Sequence, residues 1–156
     1  MVCTGNVCRS PMAEGLLAHA LGADPALSRQ FRIGSAGLAA ADGEPASRNA
    51  LEAMRRAGID LGAHRSRPLT PELASEASVL LGMTRDHLRM IEALFPDHPR
   101  QLQLFRSHAG RGDPEVPDPF GGSLQEYLET RDALVEAIPG LLQYLRSSSL
   151  DRPETV

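Results

Sequence analysis

Apolar positions along the chain follow two rhythms, a three-to-four-residue stripe and short continuous runs, and the two take turns from one end to the other. Met12, Leu16, Leu17 and Ala20 recur at helical spacing after Pro11, a residue suited to the first position of a helix, and predict a helix ending near Gly22. Phe31-Arg32-Ile33 leading into Ser35-Ala36-Gly37 reads as a short strand, and residues 46–57 as a helix stopped by Gly58. Leu69-Thr70-Pro71-Glu72 opens another short helix. Val79-Leu80-Leu81-Gly82-Met83 is a continuous apolar run suited to a strand buried on both faces, followed by a helix over residues 85–95 that Pro96 and Pro99 end. Leu102 and Leu104 alternate with polar neighbours as an edge strand, residues 107–117 are loop, and residues 123–145 form a long closing helix. Strands alternating with helices predict an α/β fold: a three-layer open parallel sheet with helices on both faces and its active residues at the carboxyl ends of the strands. Residues 1–145 make one domain, and residues 146–156 a polar, disordered tail.

The first strand is short by this reading. Only Met1 and Val2 precede Cys3, where a strand has about five residues. A strand feeding the active loop of such a sheet lies centrally, and its loss sets its two neighbours one strand-width too far apart to bond. The expectation is that about five to eight further residues, mostly Val, Ile, Leu or Phe, precede Val2 in the natural product. A chain starting at Met1 should then be unstable or inactive.

Composition narrows the class. At 156 residues, 42% hydrophobic and 23% charged, the chain is of ordinary globular make-up, with no apolar run of membrane-spanning length. A formal net charge of -4, with no basic stripe, excludes a nucleic-acid partner. Two cysteines without a secretory segment indicate a reducing compartment, the cytoplasm. His19, His87, His98 and His108 show no ligand spacing and read as solvated, so no metal or other cofactor is implied.

The chemistry sits at the start. Cys3-Thr4-Gly5-Asn6-Val7-Cys8-Arg9-Ser10-Pro11 places a cysteine and an arginine five residues apart just before a helix. Short residues at Thr4, Gly5 and Asn6 let the backbone curl so that its N–H groups face one point, and the helix adds the positive end of its dipole. That field favours the thiolate form of Cys3. Arg9 offers a planar fork to two phosphate oxygens, and Ser10 a hydroxyl to the leaving thiolate. Asn6 suits the left-handed turn that a curled anion loop requires.

These residues resemble the low-molecular-weight protein tyrosine phosphatase family, whose loop of Cys-x5-Arg-Ser-Pro is followed by a helix beginning as Met12-Ala13-Glu14 does here. Ser35-Ala36-Gly37, Gly58-Ile59-Asp60, His64-Arg65-Ser66-Arg67, Met83-Thr84 and Val116-Pro117-Asp118-Pro119-Phe120-Gly121-Gly122-Ser123 follow in the family's order, from Cys3 to about Leu145. The resemblance implies a four-stranded sheet and a phosphatase that hydrolyses phosphotyrosine in proteins through a phosphocysteine. Cys3 would be the nucleophile, Arg9 the clamp, and Asp118 the acid that protonates the leaving group and then activates water. Thr4, Gly5, Asn6, Val7, Cys8 and Ser10 would line the phosphate loop. Ser35 and His64, with Asn6 and Ser10, would support it by hydrogen bonds, and Phe120 would stack on the substrate. Asp113, outside the matched string, reads as a turn residue.

The same resemblance keeps alternatives open. Protein arginine phosphatases of the family share most of these strings but carry threonine at the position of Val7, so Val7 favours an aryl ring. Arsenate reductases need a downstream cysteine pair, and this chain has no cysteine after Cys8. Family members of this pattern form a reversible disulfide between the cysteines equivalent to Cys3 and Cys8. An inactive phosphate-binding relative is the reading from another class. Oligomeric state is not written in the sequence.

Overall fold

A computed structural model describes residues 1–97 and 101–150. In chain order its elements are β1 (Val2–Cys3), α1 (Arg9–Gly22), α2 (Pro25–Gln30), β2 (Ala36–Gly37), α3 (Arg48–Arg55), α4 (Pro71–Glu76), β3 (Leu80–Gly82), α5 (Arg85–Leu94), β4 (Leu102–Leu104), a 3-10 turn (Phe105–His108) and α6 (Leu124–Leu150). The four strands are parallel in the order β2-β1-β3-β4. The expected α/β architecture is the one observed.

Alternation along each strand divides the core between the sheet's two faces. Val2 and Leu80 enter one cluster with Ala36, Leu69, Ala74 and Ile91, covered by α4 and α5. Their successors Cys3 and Leu81 enter the other, with Met12 from α1, Met54 from α3 and Leu134 and Leu141 from α6. Side chains fix where the helices start. Ser47, Thr70 and Thr84 accept hydrogen bonds from the backbone N–H groups of Ala50, Leu73 and His87, and so set the first turns of α3, α4 and α5.

Several expectations are corrected. β1 is present and central: Val2 pairs with Ala36 and with Gly82, so β2 and β3 are not left apart. β1 spans two residues, β2 two and β3 three. The strand expected over Phe31-Arg32-Ile33 does not form; only Ala36 and Gly37 enter the ladder, paired with Val2 and Cys3. The helix expected over residues 46–57 spans Arg48–Arg55, its start set by the Ser47 cap. α1 starts at Arg9, two residues ahead of Pro11, which still lies among the first helical positions whose N–H has no partner to lose. α2 was not foreseen, although Asp24, accepting from the N–H groups of Ala26 and Leu27, and Pro25 are ordinary starting signals. α6 runs to Leu150, past Leu145, so the tail's first residues are helical. Residues 151–156 of that tail, and His98 and Pro99, lie outside the described residues.

The sheet is open at its amino end. A cavity of about 650 Å³ opens there, lined by Met1, by residues 30–36 before β2 and by residues 76–81 leading into β3. The terminal ammonium of Met1 is buried beside it and donates to the Gly34 carbonyl at 2.8 Å. Burial pushes its pKa down from 8.0 to about 6, against the opposing pull of Glu14.

Candidate active site

At the carboxyl end of β1 the chain curls over residues 4–8 before entering α1. The turn requires Asn6 in the left-handed region, at φ 54, the one described non-glycine residue with positive φ. Hydrogen bonds from every side hold it there. Its side-chain Nδ2 donates to Ser10 Oγ at 2.8 Å and Ser35 Oγ at 2.9 Å, and its Oδ1 accepts from the Arg67 N–H at 2.9 Å. Its backbone carbonyl lies 2.8 Å from His64 Nε2, and its backbone N–H donates to Cys3 Sγ at 3.3 Å. Ser35 in turn donates to Glu14 on α1. Gly37 completes the support by having no side chain, since a Cβ there would lie 2.5 Å from the Thr4 carbonyl oxygen and 2.9 Å from Asn6 N.

The sulfur of Cys3 is buried and lies 3.0 Å from Ser10 Oγ. Because Ser10 Oγ already accepts from Asn6, its hydrogen is free to point at the sulfur. The Asn6 N–H donates to Cys3 Sγ, and the Ser10 hydroxyl is placed to donate to it as well.

Arg9 opens α1 and is 4% exposed. Its Nη1 donates to the Val116 carbonyl at 3.2 Å, and its Nη2 to Asp118 Oδ2 at 2.7 Å. Its Nε is buried without a partner among the described residues. A buried cation with an unused donor is costly unless an anion completes its shell. Cys3, Thr4, Gly5, Val7, Cys8, Arg9, Asp118 and Phe120 line one cavity of about 170 Å³ at this point. Asp118 reaches it from the loop before α6, with a side chain 47% exposed and its other carboxylate oxygen accepting from the Phe120 N–H. Phe120 stands 72% exposed at the rim, and Val7 is half-buried in the wall.

The structure thus brings together every residue singled out in the sequence for this site, 109 positions apart in the case of Arg9 and Asp118. Asp113 falls outside it, its side chain accepting from the Glu115 N–H within its own turn.

Tyr127 and His87, which touch this set, were not among the residues singled out. Cys8 lies under the loop with its thiol 3.2 Å from the Tyr127 hydroxyl and 3.4 Å from Ser47 Oγ, and burial pushes that thiol's pKa up. Nothing in the sequence points to Tyr127. His87, read as solvated, is buried on α5 and lies 3.0 Å from Thr4 Oγ1; the Thr84-x-x-His87 spacing, suited to a capping box, was the available signal. His108 also departs from that reading, packing 4.6 Å from the Tyr144 ring. Among the described residues no three His, Cys, Asp or Glu side chains converge as metal ligands do, and no helix is long and apolar enough to cross a membrane.

A family model described as low molecular weight phosphotyrosine protein phosphatase matches residues 1–151. The protein-arginine-phosphatase of Bacillus subtilis (strain 168) is 37% identical over 145 residues, which cover 93% of this chain and 94% of that relative. Among solved structures, the low molecular weight protein tyrosine phosphatase from T. tengcongensis superposes with a TM-score of 0.82 at 34% identity, covering 92% of this chain and 95% of that one. A mutant of the YwlE arginine phosphatase with a phosphorylated active-site serine gives 0.83 at 35% identity, covering 97% and 95%. With sequence and fold in agreement over nearly the whole chain, it belongs to the low molecular weight phosphotyrosine protein phosphatase family, which includes arginine phosphatases.

Proposed function

We propose that the chain is a phosphatase that removes phosphate from tyrosine side chains of proteins through a phosphocysteine intermediate. The single observation that carries this reading is the pairing, in one small cavity, of a buried cysteine sulfur facing the Asn6 N–H and the Ser10 hydroxyl with a buried arginine whose Nε has no partner among the described residues. A phosphoryl group entering there meets the Arg9 guanidinium and the loop's backbone N–H groups, which carry its negative charge through the transition state. The thiolate of Cys3 attacks phosphorus, the bond from phosphorus to the phenolic oxygen breaks, and Asp118 gives its proton to that oxygen. In the second step Asp118 takes a proton from water, the water oxygen attacks phosphorus, and the sulfur leaves as a thiolate stabilised by Ser10 and Asn6. Inorganic phosphate is released. The mutant relative with a phosphorylated active-site serine supports a covalent phosphoenzyme of this kind.

Asp118 has a second role in the free enzyme. Its carboxylate occupies the outer Nη2 of Arg9. An incoming phosphoryl dianion takes over the guanidinium and frees the carboxylate to face the leaving-group oxygen.

For the substrate, Val7 and the exposed Phe120 give the entrance an apolar wall and an aromatic rim, which suit a phenyl ring. The similarity to arginine phosphatases favours a second reading, phosphoarginine in proteins. Free thiols at Cys3 and Cys8 suit a reducing, cytoplasmic setting.

Turnover of matched phosphotyrosyl and phosphoarginyl peptides tests both readings. We expect the tyrosyl peptide to be preferred, with Val7→Thr moving the preference toward phosphoarginine and Cys3→Ser abolishing both. Preference for phosphoarginine in the unmodified protein would establish the second reading, and no turnover of either peptide would leave an inactive phosphate binder.

A further inference from the structure

His87 has no part in the chemistry above, yet it is buried and touches the phosphate loop. Its protonation state follows from its partners. The backbone N–H of Thr84, which can only donate, points at His87 Nδ1 from 3.1 Å, so Nδ1 is an acceptor and the ring's proton sits on Nε2. Nε2–H therefore donates to Thr4 Oγ1 at 3.0 Å. With a lone pair so engaged, the Thr4 hydroxyl keeps its own hydrogen unspent, and Thr4 lines the cavity beside Cys3 and Arg9. The first turn of α5 is held by the same ring, through the reciprocal bonds between Thr84 and His87.

On the phosphatase reading, we propose that His87 is a positioning residue: its Nε2–H locks Thr4 Oγ1 so that the threonine hydroxyl donates to the bound phosphoryl group. The ring thereby ties α5, on one face of the sheet, to the anion loop. It does not touch the phosphoryl group; Thr4 does.

Two substitutions separate positioning from mere support of the helix. His87→Asn keeps an oxygen near Nδ1 to accept from Thr84 but falls short of Thr4, whereas His87→Gln keeps an N–H at the reach of Nε2. The probe is inorganic phosphate, with affinity measured by calorimetry, so the readout does not depend on turnover. We expect His87→Asn and Thr4→Val each to weaken phosphate binding roughly three- to tenfold, the usual worth of one hydrogen bond. His87→Gln should bind within twofold of the unmodified protein, and His87→Asn should cause no further loss in a Thr4→Val background. Unchanged phosphate affinity in His87→Asn, or full multiplication of the two losses, would overturn the proposal. If His87→Asn does not fold, Thr4→Val decides alone, since unaltered affinity there removes the hydroxyl from the site. A protein that binds phosphate normally but hydrolyses no aryl phosphate overturns the phosphatase reading while leaving this test intact; one that binds no phosphate overturns both.

Discussion

The two ends of the sheet solve opposite problems with the same three strands. At the carboxyl end a buried asparagine in a strained turn has each of its polar groups bonded, and the loop around it has one geometry. At the amino end a 650 Å³ opening separates the segments leading into β2 and β3, and a buried amine has one hydrogen-bond acceptor. The first region holds its shape through directional bonds that cannot be made in any other arrangement, and the second depends on non-directional burial that is incomplete. The catalytic end is therefore the place where a single substitution costs activity, and the amino end the place where added chain gains stability.

The largest effect belongs to the carboxyl end. Asp118→Asn should slow turnover roughly 100- to 10,000-fold for substrates with poor leaving groups, and much less where the leaving group needs no proton. Rates across a series of aryl phosphates measure this; equal losses throughout would take Asp118 out of the acid role.

Next is the turn itself. Asn6→Ala removes three side-chain hydrogen bonds and leaves the Ser10 and Ser35 hydroxyls and the Arg67 N–H to find other partners, at about 3 kcal/mol in total. Chemical denaturation should show that loss together with a collapse of phosphate affinity. If stability falls and affinity does not, the network supports the fold but not the loop.

At the amino end the sign reverses. Placing four apolar residues in front of Met1 replaces the buried ammonium by an amide and supplies side chains to the opening. We expect the melting midpoint at pH 6.5 to rise by about 5 to 10 °C, on the scale of 2–4 °C per kcal/mol for a chain of this size, with kcat/KM within twofold. A lowered midpoint would mean that the opening is already relaxed around its present contents.

The same amine gives the protein a pH dependence. The Met1 ammonium has a folded pKa of about 6 against 8.0 unfolded, so between these values the unfolded chain binds more protons. Its contribution is fully present above pH 8 and is lost as pH falls toward 6, worth up to about 3 kcal/mol. His87 adds a loss of the same sign below about pH 6.5. Its pKa is lowered by burial first and by Arg9 second, against the opposing charges of Asp118, Asp86 and Glu115. Denaturation across pH 5.5 to 8.5 should show stability climbing, and the four-residue extension should flatten the part between pH 6 and 8.

Legibility in the sequence followed distance along the chain. The run from Cys3 to Pro11 could be read as an anion loop because its geometry is local: short residues permit the curl, Asn6 tolerates positive φ, and a helix follows at once. Asp118 was found through the matched string around it and not through spacing. The parallel sheet and the doubly buried β3 were likewise implied by the alternation of periods, whereas the strand order was not. What failed depended on neighbours that no local pattern encodes. Residues 31–33 have the composition of a strand, but a strand is defined by its partner, and β1 pairs with Ala36 and Gly37 instead. His87 has the composition of a surface helix position, yet α5 packs it against Thr4, 83 residues away, where burial and a single acceptor fix its proton. Residue types and their order determined which chemistry was available; the packing of α5, β1 and the loop before α6 decided which groups meet, because hydrogen bonds and desolvation act through space at about 3 Å and take no account of separation in sequence.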